Sequence, residues 1–242
     1  MKLAAALVVV AAGASGASGC SQHLYSPPTQ AYSLAPVTTL GPNDKALDID
    51  GSTHSQIFDP GIETGTGRLR TGIGDDAEVS VEGTAARVND SGPSTANRDF
   101  YTGRAGVRVD PGRGPISWNA GIGGGFSPSA GTFAAIDGGV SIGYDNCYVV
   151  PIAAASMFVS QPLAARAVDV TVDSDHAPMY STPERTAGGT VRGGLRISLS
   201  PDTCHAGHEA PWITAGFDMT TLVDATSHAE LFGAGVGLTL PL

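Results

Sequence analysis

The sequence predicts an all-β protein: a closed antiparallel up-and-down β-barrel of 8–10 strands, ten fitting best, behind a flexible N-terminal tether. Three observations predict it. Beyond the first turn-rich stretch, apolar and polar residues alternate with period two over runs of about 9 to 12 residues, and helical period is absent. Turn-forming residues separate the runs, and the connections alternate between short and long. The charged residues of the best-patterned runs all fall on one of the two faces.

Composition narrows the class. The chain has 242 residues, a formal charge of −10, 41% hydrophobic and 15% charged residues, and 33 glycines. Disorder needs fewer apolar residues and denser charge. Collagen needs a three-residue glycine period that is missing. The acidic balance speaks against nucleic acid as a partner, which takes a basic stripe to neutralise phosphates.

Residues 1–19 read as an export signal. Lys2 is the positive start, residues 3–12 are an apolar run, and residues 13–19 are small. The sequence Ala17-Ser18-Gly19-Cys20 resembles the lipobox of bacterial lipoproteins, although Ala17 stands where that family prefers a larger aliphatic residue. The resemblance implies acylation of Cys20 as the first mature residue. Ser21 follows it in place of the aspartate linked to inner-membrane retention, so delivery to the outer membrane is expected. Residues 20–45, rich in Ser, Pro, Thr and Gln, are expected to be a disordered tether.

The barrel is expected over 46–242, with strands at 46–57, 66–73, 77–88, 99–110, 115–127, 132–144, 147–160, 186–200, 210–223 and 229–242. In the third, Ala77, Val79, Val81, Gly83 and Ala85 alternate with Glu78, Ser80, Glu82 and Thr84. The fifth sets Ile116, Trp118, Ala120 and Ile122 against Ser117, Asn119, Gly121 and Gly123, and the eighth sets Val191, Leu195 and Ile197 against Arg192 and Arg196. The last is opposed almost wholly by glycine. The first is poorest in aliphatics, so eight strands, with residues 46–73 outside, is the alternative. Short connections are expected at 74–76, 110–115 and 145–146, with a somewhat longer one at 201–210. Longer ones are expected opposite them, at 89–99, 128–132, 161–185 and 224–228.

Short turns on one side and long loops on the other resemble the transmembrane barrels of bacterial outer membranes. The resemblance implies a lipid-anchored outer-membrane protein of a Gram-negative bacterium, with outer-membrane lipid as partner and both termini on the periplasmic side, the acyl group in the inner leaflet. That family usually ends on an aromatic residue, whereas these residues are Leu240-Pro241-Leu242. The polar face carries Arg68, Arg70, Glu78, Glu82, Arg104, Arg108, Asp137, Arg192, Arg196 and Asp218. Turned inward, six arginines and four acids packed among glycines imply a filled, charged lumen and no pore. Aromatic girdles are expected at Tyr101, Phe126, Phe158 and Phe232 on the long-loop side and at Trp118, Tyr144 and Tyr148 on the other.

Chemistry-bearing motifs are sparse. Cys147 and Cys204 fall in connections on the same side and suit a disulfide in an oxidising compartment. Residues 204–209 hold ligand-type side chains at spacings too short for a metal site, so neither metal nor cofactor is expected. The loop 161–185 is acidic and contains His176, the one candidate general base for a rim hydrolase, with no Gly-x-Ser-x-Gly elbow beside it. A non-enzymatic structural or interaction role is expected, with that loop as the surface for an envelope protein partner. The alternatives are the rim hydrolase and a soluble lipocalin-like barrel with an apolar ligand inside.

Overall fold

The computed structural model describes residues 24–30, 37–55, 61–89, 99–144, 146–169, 180–202 and 210–242. Ten strands form the barrel: β1 (Lys45–Ser55), β2 (Gly61–Gly72), β3 (Ala77–Asn89), β4 (Phe100–Val109), β5 (Ile116–Ser127), β6 (Gly131–Gly143), β7 (Val149–Ala165), β10 (Thr186–Ser198), β11 (Trp212–Val223) and β12 (His228–Pro241). Between β7 and β10, β8 (Val168–Asp169) and β9 (Tyr180–Ser181) form a two-residue ribbon. Each barrel strand pairs antiparallel with its neighbour along the chain, and β1 closes on β12 from Ala46 opposite Pro241 to Ser55 opposite Phe232. Closure leaves the barrel sheet itself without a free edge.

The ten-strand reading holds, and the eight-strand alternative is corrected. β1 is poor in aliphatics because its inward positions carry Asp48, Asp50 and His54, all buried. β2 begins before the expected residue 66, with Glu63 and Thr64 already in register with Arg87 and Ala86. β7 runs on to Ala165, so the connection after it starts later than 161. Its extension passes Pro162 where the register against β6 shifts between Thr132 and Phe133, and such an irregularity accommodates a residue without an amide hydrogen. The expected loop at 128–132 is a tight turn ending on Gly131, whose φ of 100° and closeness to the Ala164 carbonyl exclude a side chain.

Described parts of the stretch expected to be a tether lie against the inner wall of the barrel. Tyr25 bridges to Glu184, and its hydroxyl meets that of Ser227 at 2.8 Å, both at the long-loop end. The Ser26 amide donates to the Thr186 hydroxyl at 2.8 Å, and the Ser26 hydroxyl lies 2.7 Å from that of Ser160. Farther in, the Thr102 hydroxyl donates to the Thr29 carbonyl at 3.3 Å, and Arg192 reaches the Gln30 side chain at 3.5 Å. At the short-turn end, Val37 packs with Val150, Ile152, Ala210 and Trp212, and the Leu40 amide donates to Glu78 at 3.1 Å. Every barrel partner here faces inward. The described residues of 24–44 thus line the lumen from the long-loop mouth to the short-turn end. Their sequence lacks period because they form neither helix nor strand; the wall satisfies their polar groups one at a time.

Candidate functional site

The lumen is the site, and its charges come from the alternate residues of each strand. All ten charged residues expected there point inward and are buried. Asp48, Asp50 and His54 join them, so the six arginines meet six strand acids, and Asp110 lies buried just beyond β4. These additions were legible as the Asp48/Asp50 alternation with Leu47, Ile49 and Gly51.

One chain of contacts spans five strands. The Thr239 hydroxyl of β12 donates to Asp48 of β1 at 2.8 Å. Arg70 of β2 grips Asp48 through Nε at 2.7 Å and Nη2 at 3.2 Å, and reaches Glu78 of β3 through Nη1 at 3.1 Å. Arg108 of β4 holds the other Glu78 oxygen at 3.0 Å. Arg68 donates to Glu82 at 2.7 Å and lies 3.6 Å from Asp48. A charge taken out of water needs such partners, because an isolated one is too costly to bury.

Two further pairs skip a strand. Arg104 of β4 binds Asp137 of β6, Nε to Oδ2 at 2.7 Å and Nη2 to Oδ1, across β5. A Cβ at Gly121 of β5 would lie 2.3 Å from the Arg104 guanidinium, so the glycine is the gap the arginine passes through. His54 of β1 meets Asp218 of β11 at 3.0 Å across β12, where a Cβ at Gly233 would strike both side chains. Gly121 of β5 and Gly233 of β12 are therefore clearances for side-chain pairs between second-neighbour strands. Arg196 lies over the Trp212 ring at 4.5 Å, a cation–π contact.

Each end of this polar column has an apolar cap. Phe158, Leu222 and Ala229 cluster with Tyr25 and Leu231 at the long-loop mouth, and the Val37 cluster closes the other. Phe158 is corrected here: it faces inward and does not join the outer girdle, because its even number shares the inward parity of Val150, Ile152 and Ser160. Tyr101 and Phe126 are exposed on the outer wall and stacked at 5.2 Å, with Phe232 on the same rim; Trp118, Tyr144 and Tyr148 are exposed at the opposite end.

The outer wall is apolar. Ile49, Leu69, Val81, Val107, Ile122, Ile136, Met157, Val191, Phe217 and Val236, one on each barrel strand, are all exposed. The described charges on this face are Lys45, Glu63, Arg87 and Glu230, each within three residues of a strand end.

Cys147 is disulfide-bonded, while Cys20, Cys204 and His176 lie outside the described residues. Among the described residues, no group of His, Cys, Asp and Glu could hold a metal ion.

No family model matches the chain, and no curated protein is similar to it. Solved structures with a similar fold include the N-terminal β-barrel domain of Pseudomonas aeruginosa OprF, at 11% identity and TM-score 0.36, covering 83% of this chain and 100% of that one. Neisserial surface protein A follows at 13% and 0.36, covering 81% and 95%. The β domain of the Bordetella autotransporter BrkA gives 9% and 0.40, covering 80% and 98%.

Proposed function

We propose that the chain is an outer-membrane β-barrel lipoprotein with a filled, non-conducting lumen, serving a structural or interaction role in the envelope of a Gram-negative bacterium. The observation that carries this is the polarity of the wall. Soluble proteins seldom expose apolar patches beyond a few hundred Å², yet here large apolar side chains ring the barrel and the charges are inside. An arginine at mid-bilayer on that face would cost about 2–4 kcal/mol, falling to at most about 1 near the interface, which is where Arg87 lies. Strands of 10 to 17 residues meet or exceed the roughly 9–11 a tilted strand needs to cross. The same polarity opposes the soluble lipocalin-like reading, which needs an apolar interior.

The paired charges and the two apolar caps oppose conduction. Acylated Cys20 is the second anchor in this reading, Cys204 is the disulfide partner of Cys147, and the connection between β7 and β10 is the surface for an envelope protein. Fractionation with a heated-versus-unheated gel shift tests it. Wild type and Cys20→Ala should both extract from outer membranes with detergent and change mobility on heating. A Cys20→Ala protein found soluble in the periplasm would mean that the acyl chain was the only anchor.

A further inference from the structure

The direction in which the N-terminal segment runs has a consequence for the lipid. Transmembrane barrels of this kind keep their short turns periplasmic and their long loops outside. Residues 24–26 are held at the long-loop mouth by Glu184, Thr186, Ser160 and Ser227, and residues 37–44 reach the short-turn end before β1 begins at Lys45. The described parts of the segment therefore run from the long-loop mouth toward the short-turn end, where the first strand starts. We propose that Leu24 stands at the exterior mouth of the barrel, so that the lipid on Cys20, the first mature residue in the reading above, sits in the outer leaflet. This reverses the inner-leaflet placement expected from an even strand count, which assumed that the tether stays on the side where β1 starts.

Reach decides between the leaflets. Four residue steps separate Cys20 from Leu24, at most about 14 Å of extended chain. The apolar band of such a barrel is about 25 Å tall, so acyl chains rooted there meet the leaflet around the long-loop mouth and not the opposite one. The polar contacts of Ser26, Thr29 and Gln30 with inward-facing side chains hold the segment inside the closed barrel. Folding, or a partner in assembly, therefore has to deliver the N-terminus through the membrane. The lipid is then a surface feature, accessible to whatever meets the cell from outside.

The placement of the lipid rests on acylation of Cys20, and the experiment separates the two claims. An epitope inserted between Ser21 and Gln22, with a second tag appended after Leu242, is probed by antibody on intact and permeabilised cells, alongside labelling with radioactive palmitate. The N-terminal epitope should be detected on intact cells and the C-terminal tag only after permeabilisation, with palmitate incorporated in wild type and lost in Cys20→Ala. An N-terminal epitope seen only after permeabilisation overturns the topology. Absence of palmitate with a surface-exposed epitope overturns the lipid and leaves the threading intact. The pair Ser26→Cys with Ser160→Cys checks the path without an insertion, since the parent hydroxyls are 2.7 Å apart. A disulfide should tie the segment to β7 in cells, and reduced, freely alkylated thiols would show that the segment is not in the lumen.

Discussion

Arg70→Met tests the lumenal ion network at its most buried point. The Arg70 side chain is 0% exposed and makes three hydrogen bonds to two carboxylates. Removing one partner of a buried pair costs about 3–5 kcal/mol, because the other charge stays behind. Here the loss is cushioned. Glu78 keeps Arg108 at 3.0 Å and the Leu40 amide at 3.1 Å, while Asp48 keeps the Thr239 hydroxyl at 2.8 Å and Arg68 at 3.6 Å. The expected destabilisation is therefore about 3 kcal/mol, the low end of that range. Urea titration of the refolded barrel in detergent, read by the gel shift between folded and unfolded bands, measures it from the displaced midpoint. Asp48→Asn in the Arg70→Met background should cost less than it does alone, with a coupling of about 1–3 kcal/mol. A single-variant loss under about 1 kcal/mol, or additivity of the two changes, would refute the view that these groups stabilise one another as a unit.

Other outcomes follow from the same geometry. Gly121→Val should displace Arg104 from Asp137 and lower the urea midpoint, whereas Gly74→Val, at a turn position with open space, should not. Met157→Arg, on the outer wall midway along β7 and 75% exposed, should cost about 2–4 kcal/mol in lipid vesicles, and a neutral result would mean that this face does not meet lipid. Wild type should be silent in planar bilayers, while deletion of residues 24–40 should produce measurable conductance, since both apolar caps lose a member. Burial opposes ionisation of Asp224, yet the amides and hydroxyls of Thr226 and Ser227 hold its carboxyl below the ordinary value. Its support of the β11–β12 turn should thus be complete above pH about 4 and fade as pH falls further, which proteolysis of that turn can follow.

Much of the barrel was written in the residue order. Alternation with period two is local, because successive side chains leave a strand on opposite faces whatever the partner strand is. Connection lengths are local too, and together they marked ten strands and sorted Arg68, Arg70, Glu78, Glu82, Arg104, Arg108, Asp137, Arg192, Arg196 and Asp218 onto the inner face. Which charge meets which was not local. Arg104 finds Asp137 and His54 finds Asp218 only because the strands between them carry Gly121 and Gly233 at matching heights, a product of register and closure. The N-terminal segment was the least legible part. Its residues follow no period because their contacts, Ser26 with Ser160 and Leu40 with Glu78, are with a wall that exists only once the barrel has closed. Local alternation therefore determined the strands and their faces, while the filling of the lumen and the side on which the chain enters depended on tertiary closure.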